Sequence, residues 1–169
     1  MSELLEFEDD ILEDEEHEMG SLNHSLTQSQ IIVLLSANKQ FKIIPELTLD
    51  ASQIDLTQFS IKPKKELIPD ICVYPNTIKR KRHDILRMIE MPLLVIEIVS
   101  PAQSIEEILF KFDAYFALGI KSCWLIVPAN EAVTVYSQPD KFKTFGTNDT
   151  EIIDEITDIR LSNRAIFAD

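Results

Sequence analysis

Apolar and polar residues alternate along this chain in patterns that predict one α/β domain. The first regular pattern is an apolar stripe with helical spacing that includes Leu26, Ile31 and Leu35. It predicts a helix over 24–37. The folded domain is therefore predicted to span 23–169.

Three strands are predicted to follow this helix. Alternation over 41–49 predicts the first, and Pro45 within it indicates an edge position, because proline has no amide to donate to a neighbouring strand. A polar connection over 50–68 leads to a short strand at 70–74. The run 93–99 is apolar on both faces, which predicts a central strand buried on both sides.

A strand–helix–strand unit completes the predicted sheet. A helix over 104–118 is followed by an apolar strand over 122–127. This strand is predicted to lie parallel to 93–99 through a right-handed crossover. Residues 131–137 are predicted to form its hairpin partner, and 151–167 to close the domain. The order αβββαβ plus C-terminal strands predicts a central mixed β-sheet flanked by helices.

The net charge of −13 is concentrated at one end of the chain. Ten acids and no Lys or Arg fall within residues 1–20, so the rest of the chain carries only −3. Residues 1–22 are interpreted as an acidic N-terminal arm. The arm is either a solvated tail or a segment that occupies a basic groove on its own domain or on a partner.

Composition narrows the class of protein. The two cysteines, Cys72 and Cys123, lie in apolar runs, which is typical of a reduced cytoplasmic protein without a disulfide framework. Three glycines are too few for a glycine-rich phosphate loop. No apolar run is long enough to cross a membrane, and the acidic N-terminus does not resemble a targeting peptide.

Glu97 breaks the pattern of the central strand. Alternation places it between Val95 and Val99 on one face, where its carboxylate would be buried. A buried carboxylate must be neutralised, paired with a cation or bound to a metal. Asp70 opens the neighbouring predicted strand, so the two acids would converge at one side of the sheet. Two carboxylates with water suit Mg²⁺, with Mn²⁺ as a substitute.

Other side chains are candidates for the same cleft. Lys111 lies at the margin of the apolar face of its helix and could reach Glu97 to assist an attacking water. Glu46 and Gln30 are additional site candidates on the first strand and first helix. His24 opens that helix, either as an N-terminal cap or as a catalytic residue.

A run of four cations follows the strand at 70–74. Lys79, Arg80, Lys81 and Arg82 could neutralise several phosphates of DNA, or could form a solvated turn. The acidic balance of the whole chain disfavours nucleic-acid binding, but the nearly neutral domain weakens that objection.

Four features occur in order along the chain: Pro69-Asp70, the block VIEIVSP at 95–101, the spacing of Lys111, Tyr115 and Gly119, and the block WLIVP at 124–128. Their order resembles the Uma-two (Uma2) family, restriction-endonuclease-like proteins of the PD-(D/E)xK nuclease superfamily. The resemblance runs from about residue 24 to the C-terminus.

The resemblance implies a restriction-endonuclease-like fold and a magnesium-dependent nuclease. It assigns Asp70 and Glu97 as catalytic metal ligands. The lysine expected two positions after the glutamate is replaced by Val99, and Lys111 is implied to be its migrated replacement. Folds of this type often form dimers, and Ile166 and Phe167, if exposed, would permit a homodimer.

Three functions remain open at this point. The chain is predicted to be a nuclease that hydrolyses DNA, with Asp70, Glu97 and Lys111 as its catalytic residues. The absent motif lysine instead favours a catalytically inactive binding or assembly module with the same fold. In the third alternative, Glu97 and Lys111 form only a structural ion pair.

Overall fold

The computed structural model describes residues 20–169. Its helices are α1 (Leu22–Ser36), α2 (Ile105–Ala117) and α3 (Asn163–Phe167). Its strands, in chain order, are β1 (Phe41–Pro45), β2 (Leu49–Asp50), β3 (Glu66–Leu67), β4 (Ile71–Pro75), β5 (Leu94–Ile98), β6 (Ser122–Val127), β7 (Ala132–Gln138), β8 (Lys141–Phe145), β9 (Glu151–Asp154) and β10 (Ile159–Ser162).

A six-stranded mixed sheet forms the centre of the domain; a central mixed sheet was predicted, but its strand β8 was not. Its spatial order is β1-β4-β5-β6-β7-β8. Strands β5 and β6 are parallel, and the other neighbours are antiparallel. The parallel pair and the hairpin that follows it are therefore confirmed. Strand β1 lies at the edge, where Pro45 was expected.

Helices cover both faces of this sheet. Ile96 and Ile98 of β5 belong to the core that contains Ile31 of α1. Val95 belongs to the core on the other face, together with Phe112 of α2. The predicted alternation along β5 is thus confirmed, and it places Glu97 on the α2 face.

Two boundaries differ from the sequence prediction by two residues or more. Helix α1 begins two residues early because Ser21 caps it, with the Ser21 hydroxyl accepting from the amide of His24 at 3.4 Å. The cap assigned to His24 is therefore wrong. The strand expected over 41–49 ends at Pro45, since Glu46 adopts φ 51° and turns the chain away from the sheet.

The C-terminal segment packs onto the sheet. Ile166 is 2% exposed and belongs to the core on the α1 face, and Phe167 packs against that core. The argument for a homodimer from exposure of these two residues is therefore wrong. Residues 1–19 of the acidic arm lie outside the described part of the chain. Within the described part, no helix is long and apolar enough to cross a membrane.

Asp154 fastens this C-terminal segment to the sheet. Its Oδ2 accepts from the Ser122 hydroxyl at 2.6 Å and from the Trp124 indole at 2.8 Å. Its Oδ1 accepts from the amides of Ile156 and Thr157. The buried carboxylate therefore has four donors and stabilises the fold rather than an open site.

Candidate active site

Three acidic residues form a row across one end of the sheet. Pro45 pairs with Ile71 and Ile71 pairs with Ile96, so the next residues in register are Glu46, Asp70 and Glu97. The amide of Glu46 donates to the carbonyl of Asp70 at 3.2 Å. Strand pairing between β1, β4 and β5 thus brings together acids that are far apart in sequence.

Asp70 and Glu97 orient each other. The amide of Asp70 donates to Glu97 Oε1 at 2.9 Å, and the amide of Ile98 donates to Asp70 Oδ2 at 2.8 Å. Each carboxylate therefore accepts a hydrogen bond from a backbone amide at or next to the other acid. The predicted convergence of these two acids is present in the structure.

Lys111 approaches the pair from α2. Its Nζ lies 3.9 Å from Glu97 Oε2, and its side chain is 27% exposed, against 4% for Glu97. The ammonium group therefore lies at the boundary between the buried carboxylate and solvent. The sequence prediction that Lys111 reaches Glu97 agrees with this geometry.

Two residues of α1 contact Asp70 from the other side. His24 Nε2 lies 3.0 Å from Asp70 Oδ2, and Gln28 Nε2 donates to the Asp70 carbonyl at 2.9 Å. Sequence reasoning placed Gln30 in this cleft, but the Gln30 amide donates to the Ala165 carbonyl at 3.1 Å. Gln30 is about 200° around the helix from Gln28, so the two amides point to different neighbours.

The electrostatics of the pair follow from its burial. Burial, followed by the nearby charge of Asp70, raises the pKa of Glu97 to about 7. Lys111 opposes that increase. The hydrogen bond to Asp70 raises the pKa of His24. Near neutral pH the site can therefore gain or lose protons, which is typical of catalytic sites and also of buried ion pairs.

Tyr115 is a site residue to which the sequence analysis gave no role beyond the family resemblance. Its hydroxyl is fully buried and, within residues 20–169, has no hydrogen-bond partner. The Nδ1 atom of His24 is likewise buried without a partner among these residues. Burial, followed by the charge of Glu97, raises the pKa of Tyr115. Tyr115 lies one turn after Lys111, so helical spacing could have indicated that both face the same strand.

The donor set is compatible with a hard cation. Mg²⁺ is commonly held by one or two carboxylates together with water, and Asp70 and Glu97 supply adjacent carboxylates. The unpartnered Tyr115 hydroxyl indicates that a further polar group can be accommodated beside Glu97. Among residues 20–169, no group of three or more His, Cys, Asp or Glu side chains could hold a metal ion. Any cation held here would keep several waters.

The basic segment Lys79–Arg82 is exposed and does not contact the acidic pair. It follows the C-terminal end of β4, whereas Asp70 precedes its N-terminal end. Five residues of strand span about 17 Å. Phosphate contacts by these cations would therefore involve a part of the substrate away from the acids.

Comparison with known proteins identifies the family. A family model described as "Putative restriction endonuclease", Uma2, matches residues 13–162. A crystal structure of a "putative nuclease belonging to DUF820" from Anabaena variabilis ATCC 29413 superposes with a TM-score of 0.69 at 21% identity, covering 89% of this chain and 83% of that one. No curated protein matches the sequence. The family resemblance inferred from the motifs is confirmed, and the chain belongs to the Uma2 family.

Proposed function

We propose that this protein is a metal-dependent nuclease that hydrolyses phosphodiester bonds of DNA. The observation that carries the proposal is the contact between Asp70 and Glu97, with Lys111 Nζ 3.9 Å from the buried carboxylate. Family membership supports nuclease chemistry. The same three residues match the acidic and basic positions of the PD-(D/E)xK pattern, except that the lysine is supplied by α2 instead of position 99.

Asp70 and Glu97 are the residues that would hold Mg²⁺, or Mn²⁺ in its place. When bound, such a cation polarises a phosphodiester and lowers the pKa of a coordinated water. Glu97 is kept in place by the Asp70 amide, and Asp70 by the Ile98 amide. The acids therefore need little rearrangement to present their oxygens.

Lys111 contributes a cation beside the reacting groups. Its side chain is partly exposed, so Nζ can leave Glu97 and donate to an attacking water or to a phosphate oxygen. A positive charge at this position would stabilise the negative charge that develops on the phosphate. His24 holds Asp70 Oδ2 from the opposite side and acts as a positioning residue.

Two further parts of the proposal concern substrate and location. Lys79, Arg80, Lys81 and Arg82 are exposed cations that would contact phosphates remote from the acids. Cys72 and Cys123 are buried free thiols, which supports a reducing compartment such as the cytoplasm.

The experiment is incubation of the pure protein with supercoiled plasmid, single-stranded DNA and RNA in Mg²⁺ or Mn²⁺. Asp70→Asn keeps an acceptor for the Ile98 amide and should abolish cleavage, as should Lys111→Met. Lys121→Met is the matched control, because Lys121 is an exposed lysine beyond the end of α2. Cleavage that survives Asp70→Asn would contradict the proposal, as would RNA cleavage without DNA cleavage.

A second function is an inactive module that retains the nuclease fold for binding or assembly. The observation that favours it is that each acid already has a basic partner from the protein, His24 for Asp70 and Lys111 for Glu97. A calorimetric titration separates the two. Heat of Mn²⁺ binding that disappears in Asp70→Asn supports the nuclease, whereas no binding at millimolar Mn²⁺ supports the module.

A further inference from the structure

The structure has an open groove of about 950 Å³ outside the candidate active site. It lies along the edge strand β1, away from the buried acids. One wall is the turn between α1 and β1, and the other is the segment that follows β4. We refer to it as the edge groove.

The walls of the edge groove are fastened to each other. The amide of Asn76 donates to the Gln40 carbonyl at 2.9 Å, and the side-chain amide of Asn76 donates to the Lys39 carbonyl at 2.9 Å. The Lys42 ammonium donates to the carbonyl of Ile78. The groove is therefore formed by the fold itself, which reduces the entropy cost of binding a ligand.

The rim of the groove is positively charged although the protein is acidic. Five cations line it, against the two acids Asp84 and Glu90; the cations are Lys39, Lys42, Lys79, Arg80 and Lys81. All five are exposed. Lys39 and Lys42 come from a part of the sequence that carries no basic run, so only the fold shows that they join the basic segment. The rim is suited to a polyanion.

The floor of the groove is apolar. Half-buried side chains form it around the edge of the sheet. Phe41 and Ile43 pack against the core on the α1 face, and Ile44, Leu47, Ile78 and Met88 pack against the core on the α2 face. Strand β1 is also the last strand of its sheet, so its outer backbone groups are available to bind a ligand. A duplex presents phosphates outward and keeps its bases stacked inside, so it cannot use such a floor. An unpaired strand can place bases on the floor and phosphates on the rim.

One residue of the edge groove connects it to the acidic row. Leu47 lines the groove and directly follows Glu46, whose amide donates to the carbonyl of Asp70. A strand lying along β1 would travel about 17 Å from the cations to the acidic row. The geometry points to the edge groove as a binding site for single-stranded DNA, with Lys39 and Lys81 as phosphate contacts. This inference deepens the proposed function and rests on it for the fate of the bound strand.

The test is fluorescence anisotropy of short labelled single-stranded DNA, single-stranded RNA and duplex DNA, with the full chain in EDTA. We expect single-stranded DNA to bind more tightly than the duplex, and binding of single-stranded RNA without binding of single-stranded DNA would overturn the inference. The double variant Lys39→Ala with Lys81→Ala should bind about fivefold more weakly for each lost contact in about 0.1 M salt. The slope of log affinity against log salt concentration should become shallower by ~0.7 per contact. The matched control is Lys121→Ala with Lys141→Ala, which removes the same charge outside the groove.

Equal or tighter binding of the duplex would overturn the inference, as would an equal loss of affinity in the control. Circular dichroism confirms that both variants are folded. Because EDTA prevents metal-dependent cleavage, a failure of the proposed nuclease activity leaves this binding measurement unaffected. Conversely, plasmid cleavage without single-strand binding would contradict the edge-groove assignment alone.

Discussion

Asp70 and Glu97 are joined by a hydrogen bond from the backbone of one to the side chain of the other, at 2.9 Å between the Asp70 amide and Glu97 Oε1. The bond links the start of β4 to the end of β5, at the same end of the sheet. It holds a second acid beside Glu97, whose side chain is 4% exposed. This bond and protonation of Glu97 both offset the free-energy cost of burying its carboxylate. Because protonation contributes, the stability of the protein depends on pH.

The first prediction concerns Glu97→Gln. The pKa of Glu97 is raised from 4.5 to about 7, so between these values the folded protein holds a proton that the unfolded chain has lost. The free energy of unfolding must therefore fall as pH rises through this window. Glutamine has no proton to lose and can still accept from the Asp70 amide. The difference in stability, variant minus wild type, should rise between pH 4.5 and 7 in urea denaturation.

This variant also separates a catalytic role for Glu97 from a purely structural one. Lys111 is partly exposed, so it can turn to water when its partner is neutral. We expect stability at pH 7 to be equal or higher, with cleavage lost. A loss of several kcal/mol would indicate that Glu97 and Lys111 serve mainly as a buried ion pair.

The second prediction concerns His24. Its hydrogen bond to Asp70 is the largest cause of its raised pKa, so Asp70→Asn should return that pKa toward its usual value. NMR titration of the imidazole signals, assigned with His24→Gln, measures the change. The stabilisation from this pair is present below the usual histidine pKa and is lost as pH rises through the folded pKa. An unchanged His24 titration in Asp70→Asn would show that the contact is absent in solution, and Glu66→Gln serves as a control acid.

Local sequence patterns were enough to predict five of the six strands of the central sheet and the exceptional position of Glu97. Strand alternation alone assigns Glu97 to the buried face, and a turn of helix brings Lys111 to it. The contacts of α1 were harder to predict from the sequence, because they depend on how the helix is rotated against the sheet. This rotation decides, for example, whether Gln28 or Gln30 faces Asp70. The break at Glu46 depends on a left-handed backbone conformation, which its residue type does not indicate.

The third prediction uses the orphaned hydroxyl of Tyr115. A buried hydroxyl without a partner costs stability, so Tyr115→Phe should leave the free energy of unfolding unchanged or raise it. If the hydroxyl binds a water or substrate group beside Glu97, the same change should lower the cleavage rate. Thermal denaturation and plasmid cleavage, measured on one preparation, check both parts. Phe112→Leu is the control for packing in this core, and a matching loss of rate there would show that Tyr115 acts only through packing.

The last prediction separates the structural carboxylate from the candidate catalytic ones. Asp154 accepts four hydrogen bonds and is 1% exposed, so Asp154→Ala leaves the Ser122 hydroxyl and the Trp124 indole without their acceptor. Unsatisfied buried donors should lower the free energy of unfolding by about 2–4 kcal/mol. The protein has one tryptophan, so the intrinsic fluorescence of Trp124 reports directly on this contact during urea denaturation.

Glu155→Gln removes the same charge from an exposed neighbour and should change stability by less than about 0.5 kcal/mol. Equal stability of the two variants would contradict the role assigned to Asp154, while Asp70→Asn should show the opposite profile, with cleavage lost and the tryptophan signal unchanged.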